Sequence, residues 1–112
     1  MAGTLKRTFG PLALVAGAYT TNVYNNASAL IYDVIRHIHV ANKAAADTFR
    51  LYLGATGANA AGTELFVDYP VAAKQSYDYY CALKLVSTDF LVGGAATTLT
   101  LVIEAEGEAF VV

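Results

Sequence analysis

Charge is what this sequence has least of. Only 14% of its 112 residues are Asp, Glu, Lys or Arg, against about 25% in an average soluble domain. Much of its surface must therefore be built from something else. Ala, Thr, Ser and Gly supply part of it, and the remainder is apolar surface of the kind a partner covers. A net charge of −2 gives no basic field for nucleic acid, and Lys6, Arg7, Arg36, Arg50 and Lys84 are scattered. Cysteine is nearly absent. Cys81 stands alone, which rules out an intrachain disulfide and fits folding in a reducing compartment. No apolar run approaches the roughly 18 residues of a membrane helix, so no membrane partner is expected.

What is present is enough for one domain. A chain of 112 residues buries about 60–70% of the surface its unfolded form exposes, and 56% of its residues are hydrophobic. It can fold without disulfide or metal. Near the start, Lys6-Arg7, the run Leu12-Ala13-Leu14-Val15 and the small residues Ala16-Gly17-Ala18 outline a secretory signal. The run is short and Gly10-Pro11 interrupts it. The reading adopted is a first strand with Gly10-Pro11 as the turn before it, or else an extended N-terminal arm over residues 1–17.

Alternation with period 2 dominates the rest. Phe49, Leu51 and Leu53 fall on one face of a strand, and Thr48, Arg50 and Tyr52 on the other. Over residues 31–41, Val34, Ile38 and Val40 share a face with Arg36, while Asp33, Ile35, His37 and His39 take the other. Over residues 97–105, Leu99, Leu101 and Ile103 point in, and Thr98, Thr100 and Glu104 point out. Between these runs stand turn signals: the Gly, Ala and Asn loop of residues 54–62, and Gly93-Gly94 after a short strand at 90–92. Pro70 confines its strand to an edge or a strand start. The Ala-rich stretch 41–47 is the one helix candidate, and it is short and uncapped. Short strands with turns every 8–12 residues predict an all-β fold. We expect a single antiparallel β-sandwich, jelly-roll-like, over residues 1–112.

Each candidate site lacks a part. Residues 57–63 have the outline of a phosphate loop, but Thr63 stands where the phosphate-binding Lys belongs. His37 and His39 project from one strand face, and Asp33 offers a third ligand on that face. Zinc takes three or four protein ligands, so the set is incomplete and no metal or other cofactor is expected. Glu104 and Glu106 share a strand face. Catalysis would need them, or Asp78, to converge in a pocket that shifts their pKa values apart, and no enzyme activity is expected. Cys81 has no reactive signature, and Asn26-Ala27-Ser28 is a glycosylation triplet frequent by chance. The aromatic content is more telling. Tyr77 and Tyr79 share one face, and Asp78 and Tyr80 the other; one face lines the core and the other meets a partner. Tyrosine suits an interface because its ring buries area while its hydroxyl stays hydrogen-bonded. The candidate interface residues are Tyr77, Tyr79, Tyr80, Tyr52, His37, His39 and Arg36.

The stretch from Tyr19 to about Glu106 resembles small virion structural proteins of tailed bacteriophages. The shared order is Tyr19-Thr20, a strand ending Ile38-His39-Val40-Ala41-Asn42, an Ala/Thr-rich turn, and the strand Thr48-Phe49-Arg50-Leu51-Tyr52-Leu53-Gly54. Leu65-Phe66, Val71-Ala72-Ala73, Ser76-Tyr77-Asp78 and a Thr/Leu strand ending in Glu follow. Asn22 to Ser28 stands where a Pro-Ala-Gly turn is common after the first Tyr. The resemblance implies a compact sandwich attached to the virion and made in the cytoplasm of a bacterial host. The expected role is a capsid decoration or cement protein, a homo-oligomer with a trimer favoured, whose partner is the major capsid protein. The alternative is a tail- or fibre-associated protein that binds a host-surface glycan.

Overall fold

The computed structural model describes residues 3–112. Among the described residues eight strands follow one another: β1 (Thr4–Ala13), β2 (Thr21–Tyr24), β3 (Ile31–Asn42), β4 (Asp47–Gly54), β5 (Glu64–Val71), β6 (Ser76–Leu85), β7 (Phe90–Ala95) and β8 (Leu101–Val111). All pairings are antiparallel. One sheet has the order β1-β8-β3-β6 and the other β2-β7-β4-β5, the arrangement of a jelly-roll sandwich. The expected fold class is therefore the observed one.

Alternation decides which side of each strand meets the core. Ile38 and Val40 of β3, Phe49 and Leu51 of β4, Leu91 of β7, and Leu101 and Ile103 of β8 are buried between the sheets. Burying a side chain of this size stabilises the fold by about 1.5–3 kcal/mol. Both prolines lie on edge strands, Pro11 on β1 and Pro70 on β5, where a missing N–H costs no central ladder bond.

Several local expectations change. β1 begins at Thr4, so Gly10-Pro11 lies inside it, at a register shift, rather than before it. The segment is a paired edge strand of the first sheet, not a free arm. β8 begins at Leu101; Leu99 sits in the preceding turn with φ 64° and is half exposed. Residues 43–46 form a turn rather than a helix. Gly93-Gly94 does not separate strands. β7 runs straight through both, because a Cβ at Gly93 would stand 2.1 Å from the Arg50 carbonyl oxygen and one at Gly94 2.5 Å from that of Val15. Close backbone approach is what requires glycine there.

The largest departure is in β3. Asp33 and Ile35 are buried, then Ile38, Val40 and Asn42 are buried, so the inward parity changes midway. Arg36 is the extra residue. Between the same two rungs β8 runs three residues (Gly107–Ala105), β3 four (Ile35–Ile38) and β6 five (Leu83–Tyr79). A β-bulge of this kind bends a strand and re-aims its side chains. Gly107 makes room for it: a Cβ there would lie 2.0 Å from the Val34 carbonyl oxygen. The Cys81 thiol donates to the Ile35 carbonyl at the same level.

Candidate functional site

The bulge sorts the polar residues of β3. Asp33, expected beside the histidines, points into the sandwich and is fully buried. It accepts a 2.5 Å hydrogen bond from the Tyr24 hydroxyl at Oδ2. Its Oδ1 faces the Lys6 ammonium at 2.9 Å as an ion pair, at an angle outside good hydrogen-bond geometry. Burial pulls the Lys6 ammonium down, but its pairing with Asp33 and its hydrogen bond to Tyr24 outweigh it and hold its pKa above the ordinary value. Burial and the bond to Asp33 push the Tyr24 phenol up. Asp33 is thus held inside the sandwich by Tyr24 and Lys6 and is unavailable as a third ligand.

His37 and His39, after the bulge, point outward. The register sets Arg7, Glu106, His37 and Tyr80 in one row across the sheet, and Glu104, His39 and Asp78 in the next. Asp78 is the residue that joins the two histidines. Its Oδ1 lies 2.8 Å from His37 Nε2 and 2.6 Å from His39 Nδ1. On its other side, His37 Nδ1 lies 2.9 Å from Glu106 Oε1. The Tyr80 ring stacks on His37, centroids 4.6 Å apart and 9° from parallel. The bond to Glu106 is the main cause that raises the His37 pKa, opposed by burial and helped by Asp78. Bonds from His39 and then His37 hold Asp78 below the usual carboxylate range. Both ring nitrogens of His37 thus face a carboxylate oxygen, Nδ1 that of Glu106 and Nε2 that of Asp78. Arg36, in the bulge, pairs with Glu108 at 3.1 Å, and Arg7 approaches Glu104 at 3.6 Å.

Of the candidate interface residues, Arg36, His37, His39 and Tyr80 share this outer face. Tyr80 is 75% exposed and Leu5, nearby on β1, is 82% exposed. With Arg36, His37 and Glu106 they line a groove of about 500 Å³. The other three are placed differently. Tyr77 and Tyr79 turn inward, as the pairing of β6 opposite Val40 and Ile38 requires. They pack edge-on against Phe66 with ring centroids 6.0 and 5.0 Å away. Tyr52 is on the outer face of the second sheet but only 4% exposed, so it offers a partner little surface. That face is covered in part, over β7 and β4, by the chain between β1 and β2, while Leu65 and Val67 of β5 remain exposed. Val15 accepts from the Ala95 N–H, Ala18 accepts from the Asn59 amide, and the Tyr19 ring lies 4.5 Å from the Arg50 guanidinium.

Compared with known proteins, the chain matches no family model, no curated protein and no solved structure. The site is therefore read from its geometry alone. Sequence reasoning paired the two histidines but missed Asp78 as their partner. Only the register of β6 against β3 reveals it, although the alternation does place Asp78 and Tyr80 on one shared face. Glu104, Glu106 and Asp78, the carboxylates an enzyme would need together, do share the face. They lie on an open sheet surface around two histidines.

Proposed function

We propose that this protein is a virion structural subunit, a capsid decoration or cement protein of a tailed bacteriophage. Its outer β1-β8-β3-β6 face would dock on the major capsid protein. The observation that carries the reading is the outer face of the first sheet, where Tyr80 and Leu5 stand largely exposed beside Arg36, His37 and Glu106, whereas the chain between β1 and β2 covers part of the other sheet. Exposed aromatic and aliphatic anchors beside charged rims are the composition of a protein interface. The low charge content and the sequence resemblance support the same assignment. Jelly rolls recur in capsid and lectin domains, which is support by analogy of fold. Docked copies bury apolar surface across neighbouring capsid subunits and so raise the cost of separating them. A closed trimer at local three-fold positions fits such a lattice.

The test is binding of the purified protein to capsids that lack it. Wild-type protein is expected to co-sediment at high copy number, and Tyr80→Ala to weaken binding at least 10-fold without loss of fold. A protein that ignores such capsids contradicts the proposal. The second reading, a tail or fibre module for a host glycan, is favoured by the same groove, where a tyrosine ring stands beside carboxylates. A gel of purified particles separates the two, since a tail module is present in only a handful of copies.

A further inference from the structure

We infer that His37, His39 and Asp78 form a surface site for a divalent transition-metal ion of the zinc class. The inference goes beyond the assembly reading and does not depend on it. Three side chains from two paired strands turn one donor atom each toward a common point, and these atoms lie within 4.8 Å of one another. An ion about 2 Å from each nitrogen and oxygen needs its ligands about 3.3 Å apart in tetrahedral geometry. The present separations from Asp78 Oδ1, 2.8 and 2.6 Å, are those of hydrogen bonds, so the carboxylate has only to withdraw by a fraction of an ångström. It is free to do so, being 41% exposed on edge strand β6.

The surroundings of His37 are those of a metal ligand. A ligating histidine donates its second ring N–H to a carboxylate, which fixes the tautomer and raises the basicity of the coordinating nitrogen. Glu106 takes that N–H at Nδ1 and leaves Nε2 for the ion. The Tyr80 ring stacked on His37 fixes its plane. His39 would coordinate through Nδ1. An ion takes the lone pairs of His37 Nε2 and His39 Nδ1, so any proton at either atom passes to solvent on binding. Two imidazoles and one carboxylate suit zinc, copper or nickel better than calcium or magnesium, which prefer all-oxygen shells. Three protein ligands leave a fourth position open to water.

Calorimetric titration of the full chain with zinc chloride in a non-chelating buffer tests this. One ion per chain is expected. His39→Ala and Asp78→Asn should each weaken binding at least 10-fold, and Glu106→Gln about 10-fold. Asp68→Asn, on the other sheet, should leave it unchanged, and magnesium should not compete. Cobalt in place of zinc should give a visible absorption spectrum that His39→Ala abolishes. No binding at millimolar zinc would overturn the proposal, as would binding that survives unchanged in both His39→Ala and Asp78→Asn. Should a variant lose its circular dichroism spectrum, the ring nitrogen shifts of His37 and His39 in wild-type protein decide: movement with zinc supports the site, and its absence refutes it.

Discussion

Strand β3 carries two polar clusters that chemistry makes similar and burial makes different. Asp33 with Lys6 and Tyr24 lies before the bulge and inside the sandwich; Asp78 with His37 and His39 lies beyond it and outside. Each has one aspartate held by two partners. In the first, a fully buried carboxylate has no water to turn to, so its partners are structural necessities. In the second, water can replace any partner, so the same bonds contribute little to stability and can be exchanged for an ion. Arg36, the inserted residue, is what puts the two on opposite faces.

The most damaging change should be Gly107→Ala. The added methyl would meet the backbone of Val34 and Ile35, where no side chain can give way. We expect a loss of about 3 kcal/mol or more, read by urea unfolding, together with loss of the His37 and His39 alignment. Lys6→Met should come next, at about 3 kcal/mol, because it strands a buried carboxylate. Asp78→Asn, the equivalent break in the outer cluster, should leave the unfolding midpoint where it was. Equal effects from the two would mean that burial does not separate the clusters. Tyr24→Phe removes the proton donated to Asp33 and should cost about 1–2 kcal/mol, whereas Tyr80→Phe should cost nothing measurable.

The smallest effect concerns pH. Arg50 holds Asp68 below its ordinary 3.8 through paired hydrogen bonds at 2.7 and 3.0 Å on the exposed second sheet. The folded pKa is depressed, so the contribution is present above 3.8 and is lost as pH falls through the lower folded value. Exposure keeps it small. Comparing acid unfolding of wild-type protein and Arg50→Met should show only a slight shift below pH 3.8, and a large one would mean that surface charge matters more than burial.

Much of this was legible in the residues themselves. Phe49 and Leu51 alternate with Thr48 and Arg50, and the core of β4 follows directly. Tyr77 and Tyr79 separate from Asp78 and Tyr80 as their spacing requires. What stayed hidden depends on distant chain. No local composition marks Arg36 as a bulge, since the space for it comes from Gly107 on another strand. A strict period-2 reading therefore carried Asp33 to the wrong face. Gly93-Gly94 has the composition of a turn, but its glycines answer to the carbonyls of Arg50 and Val15. The link from His37 and His39 to Asp78 exists only in cross-strand register.

The most direct test follows nitrogen-15 signals of the His37 and His39 rings and of the Lys6 ammonium in one zinc titration. His37 Nε2 and His39 Nδ1 are expected to move together and saturate at one equivalent while Lys6 Nζ stays fixed. Rings that do not respond, or a Lys6 signal that moves with them, would contradict the separation of the two clusters.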